Sequence, residues 1–140
     1  MKQADKDLLL KDISARLPYG VKYNCSDIKN VWKLNSILTE RRDGGVFLDI
    51  YNPLELCKPY LFPLSSMTDE LWDKEFMECG ITEFTRDSFK YGCETLEFNN
   101  SNPNMSNMLK FINQLIKNHF DIYGLIPMGL AIDATNLNIY

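Results

Sequence analysis

Apolar positions in this chain follow two periods, and each predicts a different element. Leu9, Leu10, Ile13 and Leu17 recur at helical spacing, which puts them on one face of a first helix over residues 5–17. Acidic residues near its start, with Lys11 and Arg16 toward its end, suit the helix dipole, and Pro18-Tyr19-Gly20 is expected to stop it near Arg16 or Leu17. The period then changes to two. Val21, Tyr23 and Cys25 alternate with Lys22 and Asn24 as in a half-buried strand. Residues 31–38 and 46–51 are two further extended candidates. Arg42-Asp43-Gly44-Gly45 between them carries the turn chemistry of an antiparallel hairpin.

Beyond Asn52-Pro53 the segment Lys58-Pro59-Tyr60-Leu61-Phe62-Pro63-Leu64 is apolar but bounded by prolines, so it reads as a packed connector whose strand, if any, is short or at a sheet edge. Hydroxyl caps followed by carboxylates in Ser65-Ser66-Met67-Thr68-Asp69-Glu70 open a second helix over residues 69–78. Residues 81–98 alternate weakly, as one or two strands would, and 99–104 are a polar loop. Asn104 or Ser106 then caps a third helix. Its stripe is the strongest pattern in the chain: Met105, Met108, Leu109, Ile112, Leu115, Ile116, Phe120 and Tyr123. After Gly124-Leu125-Ile126-Pro127 the apolar character resumes, and residues 130–140 are expected to add a short final strand. The expected fold is a single α+β domain, a small antiparallel β-meander over residues 21–51 packed with three helices, the third closing the core over the sheet.

Composition supports a folded chain: 45% of residues are hydrophobic, 24% are charged, and no run approaches the roughly 18 apolar residues of a membrane span. The start of the chain has no signal-peptide core, so a cytoplasmic location is expected. Cys25, Cys57, Cys79 and Cys93 form no CxxC or CxH pair and read as buried free thiols, with neither a disulfide framework nor a zinc site expected. Charge is uneven along the chain. Residues 16–42 carry six basic against two acidic side chains, whereas 43–97 carry four against twelve.

That basic stretch is interleaved with aromatics. Two readings of it stand side by side: solvated faces that attract the acidic half, or a binding face for a protein or a nucleic acid. The candidate binding residues are Tyr23, Trp32, Lys33, Arg41 and Arg42 of the sheet, with Tyr60 and Phe62 of the connector. Aromatics on strands usually pack inside, and a pI near 5.0 opposes strong nonspecific nucleic-acid binding. A small hydrolase would have to use His119, the one histidine, with Ser65 or Ser66 and Asp121, but no nucleophile elbow surrounds the serines. No phosphate loop is present, and neither a catalytic set, a metal nor a cofactor is expected.

Three segments resemble a group of short uncharacterised phage or prophage proteins of gut Bacteroidetes: Asp7-Leu8-Leu9-Leu10-Lys11-Asp12 with Ala15-Arg16-Leu17-Pro18-Tyr19-Gly20-Val21, then Lys58-Pro59-Tyr60-Leu61-Phe62-Pro63-Leu64-Ser65-Ser66-Met67-Thr68, and His119-Phe120-Asp121 with Gly124-Leu125-Ile126-Pro127-Met128-Gly129-Leu130-Ala131. The resemblance implies an intracellular or virion-associated single-domain protein, and a protein partner is expected: a second copy, or a phage or host component. It implies no activity and no catalytic residues. The function expected on this basis is a noncatalytic binding or accessory role, with a nucleic-acid-binding module as the alternative.

Overall fold

A computed structural model describes residues 1–25, 28–40, 44–49, 52–79 and 105–140. The architecture is α+β, and the chain divides into two compact units, Met1–Leu61 with Leu125–Tyr140, and Phe62–Gly124. The expected strands of residues 81–98 lie outside the described residues. Among those described, no helix is long and apolar enough to cross a membrane.

The first unit opens with helix α1 (Gln3–Arg16), which starts two residues earlier than expected. It ends at Arg16, as expected. The chain runs directly into a 3-10 turn, Leu17–Tyr19, where Pro18 lies in the first turn and its missing N–H is not needed; Gly20, at φ +66°, then reverses the chain. The buried stripe of α1 is Leu9, Asp12, Ile13 and Arg16. The expected apolar face Leu9, Leu10, Ile13, Leu17 is thus rotated, and an ion pair lies inside it. Arg16 donates from Nε to Asp12 Oδ2 (2.8 Å) and from Nη2 to Asp12 Oδ1 (2.7 Å), with both side chains at most 1% exposed. This fork satisfies both carboxylate oxygens, which allows two charges to stay out of water.

Strands β1 (Lys22–Cys25) and β2 (Ile28–Lys33) pair antiparallel, while β3 (Ile37–Thr39), β4 (Val46–Leu48) and β5 (Asn52–Pro53) form a second sheet. The expected hairpin is present, with Thr39 opposite Val46 and the Glu40 N–H bonded to Gly45 O at 2.8 Å. The expected strand over 31–38 is instead split between two sheets. Asp49 causes the split. Its carboxylate accepts the N–H groups of Asn35 and Ser36, each at 2.9 Å, so these residues leave the ladder and redirect the chain. Asp49 itself has φ +48° and ends the third expected strand at Leu48.

The proline-bounded connector contains β6 (Cys57–Leu61), an interior strand rather than an edge one: the sheet order is β2-β1-β6-β7, with β7 (Ile132–Asp133) parallel to β6. Pro59 is tolerated because it faces Tyr23 at a position that exchanges no hydrogen bonds with β1. The Val21 carbonyl bonds to the Leu34 N–H, so the backbone groups of Val21, Tyr23 and Cys25 point to β2 and only those of Lys22 and Asn24 point to β6. The final strand is present as expected.

The second unit holds α2 (Asp69–Glu75) and α3 (Met105–Lys117). Thr68 caps α2 by accepting the Leu71 N–H at 3.2 Å, and a 3-10 turn, Met77–Cys79, replaces the last expected turn. The core is Leu64, Met67, Phe76, Cys79, Phe111, Leu115, Ile116, Phe120 and Ile122. The rings of Phe76 and Phe111 meet edge to face, with centroids 5.5 Å apart. The apolar stripe of α3 is narrower than expected. Met105 and Leu109 are exposed, Phe111 takes an inward place, and Phe120 and Tyr123 lie beyond the helix.

Candidate functional site

The seven expected binding residues do not form one face. Tyr23 and Tyr60 are buried, because alternation turns Tyr23 inward with Cys25 and because β6 is an interior strand. The Tyr23 hydroxyl is internal as well: it donates to Asp49 Oδ2 at 3.0 Å and accepts from Asn52 Nδ2 at 2.8 Å. Burial first, and then the Asp49 carboxylate, hold it protonated well above the usual tyrosine range. Phe62 belongs to the second unit, where its ring lies 6.2 Å from that of Phe120. Arg41 and Arg42 lie outside the described residues. Trp32 and Lys33 remain.

These two are adjacent on β2, which is the last strand of its sheet among the described residues. Trp32 pairs with Tyr23 and Lys33 with Lys22, so they stand on opposite faces. Val31 and Trp32 are 45% and 40% exposed, and Asn30 and Lys33 are exposed too. By the alternation above, Trp32 and Leu34 direct their backbone groups to β1 and Lys33 directs its own outward; the outward Lys33 carbonyl accepts the Asn35 amide at 2.8 Å. An edge of this kind offers backbone hydrogen bonds, an indole surface and a positive charge together.

One step beyond the Tyr23–Pro59 pair, Lys22 stands opposite Tyr60, yet the two are joined through the side chain of Tyr140. The Lys22 N–H donates to the Tyr140 hydroxyl (3.0 Å), and that hydroxyl donates to Tyr60 O (2.9 Å). The Lys22 amine bonds to Ile139 O and lies 5.5 Å from the centre of the Tyr140 ring. A phenol is therefore inserted into the β1–β6 ladder. Burial of the hydroxyl pushes its pKa up to about 12.

The expected hydrolase residues have structural places. The N–H groups of His119 and Phe120 bond to Ile116 O (3.0 Å) and Leu115 O (2.9 Å), and His119 has φ +61°. This is a Schellman closure of α3 with His119 in the left-handed position. Its carbonyl accepts the Phe62 N–H at 2.9 Å, and the residue is 7% exposed. Ser66 Oγ donates to Pro63 O at 2.7 Å. Among the described residues no group of three or more His, Cys, Asp or Glu side chains could hold a metal ion.

Compared with protein-family models, curated proteins and solved structures, the chain matches none.

Proposed function

We propose that this chain is a noncatalytic binding or accessory protein, and that β2 is the edge through which it takes a protein partner. The observation that carries the reading is the exposed Val31-Trp32-Lys33 segment on the last strand of its sheet among the described residues. Soluble proteins usually blunt such edges, and an indole next to outward backbone groups suits addition of an extended segment. The exposed Lys33 beside Trp32 favours an acidic one. The phage or mobile-element setting rests on the sequence resemblance alone. A nucleic-acid module would draw its stacking rings from Tyr19, Tyr23, Trp32, Phe47 and Tyr51; of these Tyr23 is buried, while Tyr19 and Trp32 are exposed.

A displayed library of extended peptides, selected on the full chain, tests this. Acidic sequences are expected to be enriched, and Trp32→Ala is expected to weaken them at least tenfold with the folded state unchanged by circular dichroism. Selected peptides that ignore both Trp32→Ala and Lys33→Glu would exclude this edge. Salt-sensitive oligonucleotide binding lost on the same substitutions would favour the alternative.

A further inference from the structure

Cys25 and Cys57 stand directly opposite each other on β1 and β6, and their sulfurs are 3.4 Å apart. They occupy a position that exchanges no hydrogen bonds, where antiparallel Cα atoms approach to about 4.5 Å. That spacing lies within the roughly 4.4–6.8 Å that a disulfide spans, and the sulfurs need to close to about 2.0 Å, a movement that side-chain rotation supplies. Both thiols are free and buried, at 6% and 1% exposure.

We propose that Cys25 and Cys57 are an oxidative modification site, a dithiol that a hydroperoxide converts reversibly into a cross-strand disulfide. Burial selects a small oxidant, since a bulky disulfide reagent could not reach either sulfur. Cys25 is the less buried and reacts first. Its sulfur attacks the distal oxygen of hydrogen peroxide, the O–O bond breaks, water leaves with the thiol proton, and Cys25 becomes a sulfenic acid. Cys57 sulfur then attacks Cys25 sulfur; the S–O bond breaks, and the hydroxide takes the Cys57 proton and leaves as a second water. Two electrons have passed from the sulfurs to the peroxide. Burial, and then the hydrogen bond to Cys25, raise the pKa of the Cys57 thiol, which disfavours Cys57 as the sulfur that meets the peroxide first. That thiol also lies 3.2 Å from Pro53 O, a contact that the disulfide gives up.

The bond would close the loop of chain that carries β2 to β5. This proposal does not depend on the binding role of β2.

The test uses the full native chain treated with hydrogen peroxide, then denatured in excess alkylating agent and mapped by mass spectrometry. Two of the four cysteines are expected to escape alkylation as one linked Cys25–Cys57 peptide pair, lighter by two hydrogens and restored by dithiothreitol. Four alkylated thiols, a Cys25 sulfinate without a link, or a disulfide that includes Cys79 or Cys93 would overturn it. In Cys57→Ser, a sulfenic acid at Cys25 is expected, trapped when the oxidised chain is denatured in dimedone; a new link from Cys25 to another cysteine would count against the assigned pair. Should that variant not fold, the wild-type map still decides.

Discussion

Tyr140 shows how much one side chain can do at a position where sequence patterns carry no signal. Its hydroxyl supplies the acceptor for Lys22 and the donor for Tyr60 that a plain ladder would exchange directly. Removing it leaves two backbone groups to find water, so Tyr140→Phe is expected to cost about 1–2 kcal/mol in chemical denaturation. The pH dependence has a definite sign. An unfolded tyrosine ionises near pH 10, whereas this one is pushed up to about 12, so the folded state holds its proton longer. Its contribution is complete below about pH 10 and is lost as pH rises toward 12. Tyr140→Phe should flatten that part of the alkaline stability curve, leaving the slope due to Tyr23, whose hydroxyl is raised as well.

At the level of elements, α1 and α3 are each specified by something other than their apolar stripe. In α1, Arg16→Met leaves Asp12 buried beside an apolar partner, and a loss of about 3–5 kcal/mol is expected. The double change Asp12→Leu with Arg16→Met removes both charges and should recover most of that loss in urea unfolding, since well-packed apolar pairs replace buried ion pairs at little cost. In α3, the left-handed backbone at His119 disfavours any residue with a β-carbon by about 1–2 kcal/mol. His119→Gly is therefore expected to be about 1 kcal/mol more stable than His119→Ala, both lacking the imidazole. Equal stabilities would contradict the assigned cap. Local rules made part of this legible: the β3–β4 hairpin, the cap of α2 and the stop at Gly20 depend on neighbours in sequence. Asp12 and Arg16 share the face of Leu9 and Ile13 at spacings of three and four, so their burial was readable in principle, but charge type argued for solvent.

For the molecule as a whole, what stayed hidden depends on register between distant segments. Periodicity told that Tyr23 and Cys25 share a face, but not that Cys57 would stand opposite Cys25, nor that Asp49 would cut an extended run in two. It marked Pro59 as an edge signal because direction of the backbone N–H, which decides the matter, is set by pairing. The candidate edge was half legible: Trp32 and Lys33 are accessible, while Tyr23 and Tyr60 belong to the interior.

The Tyr140 bridge joins positions 118 and 80 residues apart in sequence. During synthesis, β1, β2 and β6 leave the ribosome long before the segment that covers the far side of β6. For that interval β6 exposes an unpaired edge, and the β1–β6 ladder lacks its inserted phenol. The first unit can therefore finish only after the whole of the second has been translated, so its assembly waits on a long loop closure and favours slow, late folding over vectorial folding from the N-terminus.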